Sequence, residues 1–404
     1  MGKLFLYIVS ILLLGTVRIG PLSIRVYSTL LMLIFLIVKS FQSKANKLQS
    51  SIPHSYAHIY MLFSSIMAVT LLLNGEFIEF GFVKKFLAFN VVSLCAFYAI
   101  DYFVINRNDI LKCIALLSIL ILLNNCVSLL QFADIPMGWM VGALLNDVSE
   151  YSEIVSDEEF KVGVAYVSGL FGGPVKNAFV ITVFLPLFFM PLNYGSWKIK
   201  GYYWIVILSS LLAIYVTQQR AAFGLVAVTL FIYLLCTLKN ASSWIILIMI
   251  IIFAYWGSTN IDWGRLFEND NTDRQILWQK AVAFISEHTF GGGPVAFQRE
   301  AGMSSHNLIL DALIFSGLFG GICLIFLFLK TLAVSIKYIL LGICNIKTNY
   351  LILFSALSVF NAMIYGLFHN TSYLTGDEVI FISLAIMLKS IVISPTHVHK
   401  LALI

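Results

Sequence analysis

Uninterrupted apolar runs of about 20 residues recur along this chain, and they restrict its fold more than any other feature. A run of this length crosses the hydrocarbon core of a bilayer as a helix. Only helices and closed barrels satisfy their backbone hydrogen bonds there, and these runs lack the alternation of barrel strands. The composition agrees, because 60% of the residues are hydrophobic and only 11% are charged. The sequence therefore predicts an all-α polytopic membrane protein.

Twelve of the runs are predicted transmembrane helices, and residues 1–404 then form a single membrane domain. The first run resembles a secretory signal, but no cleavage site of small residues follows it, so we expect it to be retained. Residues 331–346 carry Lys337 at their centre and are predicted to form a helix on the membrane surface. The predicted spans are residues 3–17, 21–38, 57–74, 84–105, 110–131, 175–192, 202–219, 221–238, 243–257, 306–329, 348–366 and 377–394.

Lysine and arginine residues fall in alternate connections between the predicted spans. Cytoplasmic connections are enriched in these residues, so the pattern predicts that both termini are cytoplasmic. Lys84 and Lys85 depart from the pattern. Two long connections, residues 132–174 and 258–305, are then extracytoplasmic. The flanking lysines also explain the net charge of +5, so no nucleic-acid partner is needed to account for it.

Cysteine and histidine spacing indicates neither a disulfide framework nor a metal centre. The six cysteines all lie in or beside apolar runs. No HExxH or DxD motif and no clustered His/Cys spacing occurs in a predicted outside loop. We therefore expect the protein to use no metal and no cofactor.

The segment TQQRAAFG, residues 217–224, places Arg220 between two apolar runs with no polar loop to accommodate it. One explanation is an anchor whose guanidinium extends to the lipid headgroups. The other is an anionic substrate, because a buried charge is costly without a partner and a guanidinium binds phosphate at two points. Arg220 is thus a candidate phosphate-binding residue, and its neighbour Gln219 is a candidate substrate contact.

The second long loop contains a predicted helix, NDNTDRQILWQKAVAFISEH at residues 269–288. Arg274 lies in its first turn and is either a surface arginine paired with a carboxylate or a second phosphate-binding group. The face predicted to lie on the membrane comprises Ile276, Leu277, Val282 and Ile285.

The same loop holds two further basic candidates and a glycine-rich segment. Arg265 and Arg299 are candidate substrate contacts. The GGGP segment at residues 291–294 is either a turn that closes the preceding helix or a place where backbone approaches a sugar or phosphate closely.

The stretch SSHNLILD, residues 304–311, places a histidine and an asparagine at the start of an apolar run. A histidine there is most simply a hydrogen-bonded residue of the membrane surface. Alternatively, its imidazole is partly neutral near physiological pH and takes a hydroxyl proton as a general base. His306 is therefore a candidate catalytic residue, and Asn307 is a candidate to orient a sugar hydroxyl. His369, Asn370, Asp377 and Glu378 are secondary candidates on the same side.

Three of these segments together resemble the bacterial O-antigen polymerase and O-antigen ligase superfamily. They are TQQRAAFG, DRQILWQKAVAFISEHTFGGGPVAF and SHNLILDALIFSGLFGG, and their order and loop placement carry the resemblance. It covers residues 170–330 in residue pattern and the twelve spans overall. Members of the superfamily often have serine or threonine where Gln219 stands.

The resemblance implies a GT-C-type glycosyltransferase of the bacterial inner membrane whose active site faces the periplasm. Its donor and acceptor are expected to be glycans linked to undecaprenyl diphosphate among the membrane lipids, with a chain-length-regulating membrane protein as a further partner to test for. The resemblance assigns Arg220 and Arg274 to the diphosphate and His306 to the acceptor hydroxyl. The expected reaction is a metal-independent displacement with inversion at the anomeric carbon.

Two groups of alternatives remain open at this point. A polymerase joins two lipid-linked glycans, whereas a ligase transfers the glycan to lipid A-core. We favour the polymerase because SHNLILD is more similar to the polymerase pattern than to the HxHN of ligases. A transporter of lipid-linked sugars would place ionisable residues near the bilayer midplane, whereas the candidates lie at the predicted outer surface. A purely structural subunit would leave the three basic candidates unexplained.

Overall fold

The computed structural model describes most of the predicted spans and part of their connections. The predicted span at 243–257 lies outside the described residues except for residue 248, as does most of the first predicted outside loop. The described residues are 1–14, 17–19, 22–42, 52–76, 90–145, 167–171, 173–193, 195–237, 248, 270–305, 307–344, 350–368 and 378–393.

The described residues form an all-α fold apart from one short ribbon. Two antiparallel strands of two residues each, β1 (Arg18–Ile19) and β2 (Leu22–Ser23), join the first two helices. The main helices are α1 (Gly2–Leu12), α2 (Ile24–Gln42), α3 (Ser55–Leu73), α4 (Val92–Phe103), α5 (Arg107–Phe132), α6 (Pro136–Leu145), α7 (Pro174–Phe188), α8 (Trp197–Thr217), α9 (Arg220–Thr237), α10 (Asp270–Glu287), α11 (Pro294–Ala301), α12 (Leu308–Cys344), α13 (Tyr350–Phe368) and α14 (Glu378–Ile393).

Six of the described helices are long and apolar enough to cross a membrane. Shorter apolar helices occur at other predicted spans, among them α1 and α4. These lengths agree with a polytopic membrane protein, while the number of twelve spans and the GT-C type stay predictions. The six segments are Ser55–Leu73, Arg107–Phe132, Pro174–Asn193, Trp197–Thr217, Leu308–Ile343 and Tyr350–Phe368.

The separate surface helix predicted at residues 331–346 is wrong, because this segment continues α12 as far as Cys344. The expectation rested on the charge of Lys337, but a charged side chain does not interrupt helical hydrogen bonding. The buried hydroxyls of Thr331 and Ser335 donate to the carbonyls of Leu327 and Leu332 within the same helix, each at 2.8 Å. The irregular backbone of α12 lies instead at Gly317.

Contacts at named residues give the direction of neighbouring helices. Lys330 of α12 donates to Ser55 at the start of α3, at 2.8 Å, so α3 and α12 are antiparallel. Helices α2, α7, α9, α12 and α14 begin at the end of the bundle that holds Arg25, which we call the Arg25 end. They run towards the opposite end, which holds Lys389 and which we call the Lys389 end. The distribution of lysines predicts that the Arg25 end is extracytoplasmic.

Helix α7 lies at the centre of the bundle, with every residue from Asn177 to Phe188 buried. Pro186 has no N–H to donate to the carbonyl of Thr182, which lies four residues earlier. Asn361 of α13 supplies the missing donor, because its Nδ2 lies 3.0 Å from the Thr182 carbonyl oxygen and 3.0 Å from Thr229 Oγ1 of α9. Without water in a bilayer core, such side-chain donors keep a proline-containing helix satisfied.

A buried ionic network joins three helices at the Lys389 end. Lys389 Nζ of α14 lies 2.7 Å from Asp101 Oδ1 of α4. His54 Nε2, next to the start of α3, lies 3.2 Å from Asp101 Oδ2, and the N–H of Ile52 donates to Oδ1 at 3.2 Å. A buried charge is stable only when it is paired and hydrogen-bonded, so these contacts hold α3, α4 and α14 together.

The first predicted outside loop, residues 132–174, contains a short helix, α6, and a buried segment at residues 167–171 that makes a turn at Gly169. Side-chain amides hold that segment. Asn124 Oδ1 accepts from the N–H of Leu170 at 2.7 Å, and Gln131 Oε1 accepts from the N–H of Gly169 at 2.8 Å. The chain therefore enters α7 along a fixed path.

Candidate functional site

Helix α12 is interrupted at Gly317, which has φ 63° and ψ −168°. The interruption frees backbone groups that pair with the GGGP loop. The N–H of Gly293 donates to the carbonyl of Ile314 at 3.1 Å, and the N–H of Leu318 donates to the carbonyl of Thr289 at 2.9 Å. Positive φ is unfavourable for residues with a Cβ, so glycine is required at this crossing.

The other side of the GGGP loop is held by α3. Asn74 Nδ2 donates to the Gly291 carbonyl at 2.7 Å, and Thr70 Oγ1 donates to the Phe290 carbonyl at 3.4 Å. The glycines permit a close backbone approach, as in the interpretation of GGGP that predicted close contact with a sugar or phosphate. The partners of that approach are α3 and α12 of the chain itself.

Glu76 caps the first turn of α11. Its carboxylate accepts hydrogen bonds from the N–H of Val295 at 3.1 Å and of Ala296 at 2.5 Å, and Glu76 is buried. The N-terminus of a helix attracts anions. Here a carboxylate of the protein occupies that position, so the GGGP–α11 junction is not open to a substrate phosphate.

Described residues on both sides of His306 are hydrogen-bonded to each other at the start of α12. Asp311 Oδ1 accepts hydrogen bonds from Ser305 Oγ at 2.7 Å and from the N–H of Ser305 at 3.0 Å. Asp311 is 1% exposed, and its Oδ2 is buried without a hydrogen-bond partner among the described residues. His306 itself lies outside the described residues, although its neighbours Ser305 and Asn307 are described.

Asn307 and Trp278 also contact backbone groups near the start of α12. Asn307 Oδ1 caps α12 by accepting from the N–H groups of Ile309 at 2.9 Å and Leu310 at 3.2 Å. Trp278 Nε1 of α10 donates to the Ser305 carbonyl at 3.1 Å. Asn307 therefore has a structural role, and its contact with a sugar hydroxyl stays a prediction.

Helix α10 packs on α11 and α12 through a small apolar cluster, which comprises Leu277, Ala281, Phe284, Phe297 and Ile314. The predicted apolar face is divided in the structure. Leu277 is buried and Ile285 packs against the cluster. Ile276 and Val282 are 48% and 59% exposed on the protein surface, and the contact of this face with the membrane stays a prediction.

The basic candidates of the second long loop are only partly described. Arg274 occupies the first turn of α10, as predicted, but its side chain lies outside the described set. Arg299 lies in the last turn of α11 and is exposed. Arg265, His369, Asn370 and Asp377 lie outside the described residues.

Arg220 opens α9 immediately after a tight turn. Helix α8 ends at Thr217, and Gln218 adopts the left-handed conformation with φ 53°. Gln219 Nε2 donates to the Thr217 carbonyl at 3.3 Å. The half-buried Arg220 therefore lies at the Arg25 end on a helix that packs against α7, α12 and α13.

The structure also gathers a charged cluster of which sequence reasoning singled out only Glu378, as a secondary candidate. Arg25 of α2, Lys176 of α7 and Glu378 of α14 meet at the Arg25 end. Glu378 Oε1 lies 3.3 Å from Arg25 Nη2 and 3.5 Å from Lys176 Nζ, and Arg25 Nη1 donates to Oε2 at 3.4 Å. The available signal was a charge near the start of three predicted apolar spans, where it is costly unless paired.

Within the described residues, no group of three His, Cys, Asp or Glu side chains could hold a metal ion.

Comparisons with known proteins give no family for this chain. No protein-family model matches the sequence, and no curated protein and no solved structure matches it.

Proposed function

We propose that this protein is an O-antigen polymerase, a membrane glycosyltransferase that joins oligosaccharide repeat units carried on undecaprenyl diphosphate. The observation that carries the proposal is the pair of hydrogen bonds between Ser305 and Asp311, which precede and follow His306 in the chain, at the same end of the bundle as Arg220. It supplies a fixed frame for a general base beside a helix that begins with a cation. The resemblance of three segments to the O-antigen polymerase and ligase superfamily supports the same assignment.

In the proposed reaction, the acceptor hydroxyl oxygen attacks the anomeric carbon of the donor glycan, and the bond from that carbon to the diphosphate breaks. The electron pair leaves with the diphosphate, whose charge Arg220 and Arg274 neutralise. His306 accepts the hydroxyl proton. A direct displacement inverts the configuration at the anomeric carbon.

Asp311 acts in this scheme as a positioning residue. Its two hydrogen bonds to Ser305 hold the residue that immediately precedes His306. Trp278 holds the carbonyl of the same serine, so α10 and α12 fix Ser305 together. Fixed backbone groups beside a general base reduce the conformational entropy that is lost in the transition state.

The proposed location is the bacterial inner membrane, with the Arg25 end facing the periplasm. Donor and acceptor would both reach that end from the membrane, and a chain-length-regulating membrane protein is a candidate partner. A ligase of lipid A-core would use the same donor chemistry and differ only in the acceptor.

The proposal is tested by reconstitution of the purified protein in liposomes with undecaprenyl-diphosphate-linked repeat units, with and without lipid A-core. A ladder of products that grows without lipid A-core identifies a polymerase. Transfer that requires lipid A-core identifies a ligase, and the absence of any glycosidic product under both conditions rejects the enzyme.

One observation favours a transporter of lipid-linked sugars as the second candidate. Helix α14 carries a buried charge near each end, Glu378 and Lys389, each paired with residues of other helices. Buried ionisable residues on membrane helices are typical of substrate and ion pathways. Movement of a labelled lipid-linked sugar between liposome leaflets, lost in Lys389→Met, would favour the transporter over the polymerase.

A further inference from the structure

A groove of about 410 Å³ lies between α1 and α2 on the lateral surface of the bundle. The two helices are antiparallel, because Tyr7 of α1 contacts Thr29 of α2 and Lys3, one turn earlier, contacts Phe35, further along α2. The walls of the groove include Lys3, Leu6 and Ser10 of α1 and Ser28, Leu31 and Phe35 of α2.

The groove extends across much of one membrane leaflet. Lys3 and Phe35 line one end of it, whereas Ser10 and Ser28 line the other. On each helix the two positions are separated by a rise of about 10 Å, at 1.5 Å per residue. The hydrocarbon core of a bilayer is about 30 Å thick, so the groove covers about two thirds of one leaflet. Since α2 runs from the Arg25 end to the Lys389 end, Lys3 lies on the side of the groove nearer the Lys389 end.

The walls of the groove are suited to a hydrocarbon chain. Leu6 and Leu31 are 72% and 70% exposed, so apolar surface faces outward here. The serine hydroxyls donate within their own helices. Ser10 Oγ donates to the Leu6 carbonyl at 2.7 Å, and Ser28 Oγ donates to the Arg25 carbonyl at 3.0 Å. A hydrocarbon chain can therefore lie against both serines without leaving a buried donor unpaired.

Lys3 adds a positive charge at one end of these apolar walls. Its Nζ lies 4.1 Å from the centroid of the Phe35 ring, a cation–π contact between the two helices. The Phe35 ring is held in turn by α4, because it stacks on Phe103 at 5.7 Å and meets the edge of Tyr102 at 6.0 Å. Lys3 is exposed, and no carboxylate of the described residues forms an ion pair with it. Its ammonium carries three donors, so it can bind an anion beside the ring.

We propose that this groove binds an anionic phospholipid, with the headgroup phosphate on Lys3 and one acyl chain between α1 and α2. Charge complementarity selects this occupant. A lysine without a carboxylate partner attracts phosphate, and the apolar walls match the acyl chain. The stem of Lys3 lies along apolar surface while its ammonium reaches the headgroup layer. The site lies away from the Arg25 end and does not depend on the proposed function.

The experiment measures lipid binding to the purified full-length protein by native mass spectrometry, with phosphatidylglycerol as the anionic probe and phosphatidylcholine as the zwitterionic one. Lys3→Gln should raise the dissociation constant of the most tightly bound phosphatidylglycerol about fivefold, the effect of one lysine charge at a membrane surface. Lys3→Arg should keep the wild-type constant because it retains the charge. Phosphatidylcholine should bind more weakly and should not distinguish the wild type from Lys3→Gln.

Ser10→Phe tests the groove without changing its charge. The larger apolar side chain would occupy the space of the acyl chain, so phosphatidylglycerol should bind at least as weakly as to Lys3→Gln.

Lys198→Gln is the matched control for the loss of charge. Lys198 is exposed in the first turn of α8, at the Lys389 end, and its Nζ lies 5.9 Å from the ring centroid of Trp197 in the same helix. This variant should keep the wild-type dissociation constant. Thermal unfolding of each variant in detergent verifies that weaker binding does not reflect a lost fold.

An unchanged dissociation constant in Lys3→Gln or in Ser10→Phe overturns the site. An equal rise in Lys3→Gln and Lys198→Gln indicates attraction by the overall charge of the surface and also overturns it. Equal binding of the two phospholipids overturns the recognition of an anionic headgroup. A dimer that excludes phosphatidylglycerol and dissociates in Ser10→Phe assigns the groove to a second copy of this chain and overturns the lipid.

Discussion

The carboxylate of Glu76, just after α3, accepts hydrogen bonds from the backbone N–H of Ala296 at 2.5 Å and of Val295 at 3.1 Å, in the first turn of α11. The contact joins a predicted membrane helix to the layer formed by α10 and α11. Asn74 and Thr70 of α3 hold the adjoining glycine loop. The layer that carries Arg274 and contacts Ser305 is thus tied to the bundle at its glycine-rich side.

Glu76→Gln should loosen that attachment. The amide keeps one acceptor oxygen but loses the charge that favours the helix N-terminus, so we expect a loss of stability of about 1–2 kcal/mol. Limited proteolysis between α10 and α11 should accelerate, and glycan transfer should fall. Glu287→Gln, at an exposed position in the last turn of α10, is the control and should leave both rates unchanged.

Gly317→Ala should impair the site through the backbone. A Cβ at this position would lie within 3 Å of the Phe290 carbonyl carbon and the Gly291 nitrogen, and φ 63° is strained for alanine. We expect a destabilisation of about 1–3 kcal/mol and at least a tenfold loss of transfer. The thermal unfolding midpoint and the transfer rate are the measurements.

Gly201→Ala is the matched control for this change. Gly201 lies within α8 and a Cβ there meets nothing within 4 Å, so alanine should stabilise the helix by up to about 1 kcal/mol. Equal effects of the two substitutions would contradict the role assigned to Gly317.

Arg220→Ala should abolish glycan transfer while the protein still inserts and purifies normally. Removal of a group that stabilises charge in the transition state typically costs about a hundredfold to a thousandfold in rate. Arg107→Ala is the control, because Arg107 is an exposed arginine in the first turn of α5 at the Lys389 end. Full activity of Arg220→Ala would remove this residue from the mechanism.

The pairing of Asn361 with the proline-containing helix predicts a double-mutant cycle. Asn361→Ala leaves the Thr182 carbonyl without a donor and should cost about 1–2 kcal/mol, in the upper range for polar contacts in membranes. In a Pro186→Ala background, the backbone N–H of the introduced alanine can donate to the Thr182 carbonyl. The destabilisation caused by Asn361→Ala should therefore fall by about half or more in that background. Additive effects in reversible unfolding would disprove the compensation.

Local patterns predicted several of the described helices closely, because each apolar run carries its own signal. The predicted start of α9 at residue 221 and the observed start at Arg220 differ by one residue. The limits of α12 were not predictable in this way. Lys337 suggested a break that did not occur, whereas the interruption at Gly317 depends on hydrogen bonds with Thr289 and Gly293, which lie outside the run.

The candidate site was predictable to a lesser extent. Arg220 and Arg274 could be proposed as candidates because arginine is uncommon at the end of an apolar run or in an amphipathic helix. Arg25, Lys176 and Glu378 lie far apart in the chain, and nothing local indicates that their side chains meet. The cap by Glu76 was equally hidden, since its partners follow more than two hundred residues later.

The charges of α14 have a consequence for biosynthesis. Glu378 forms ion pairs with Arg25 and Lys176, and Lys389 forms an ion pair with Asp101. The ribosome synthesises α2, α4 and α7 well before α14. Their charged residues therefore enter the translocon or the membrane before Glu378 and Lys389 are present. Insertion of α14 supplies the missing counter-charges at both ends of the bundle. A chain interrupted before α14 would therefore lack the counter-charges of Glu378 and Lys389, a difference by which membrane proteases could distinguish incomplete from complete molecules.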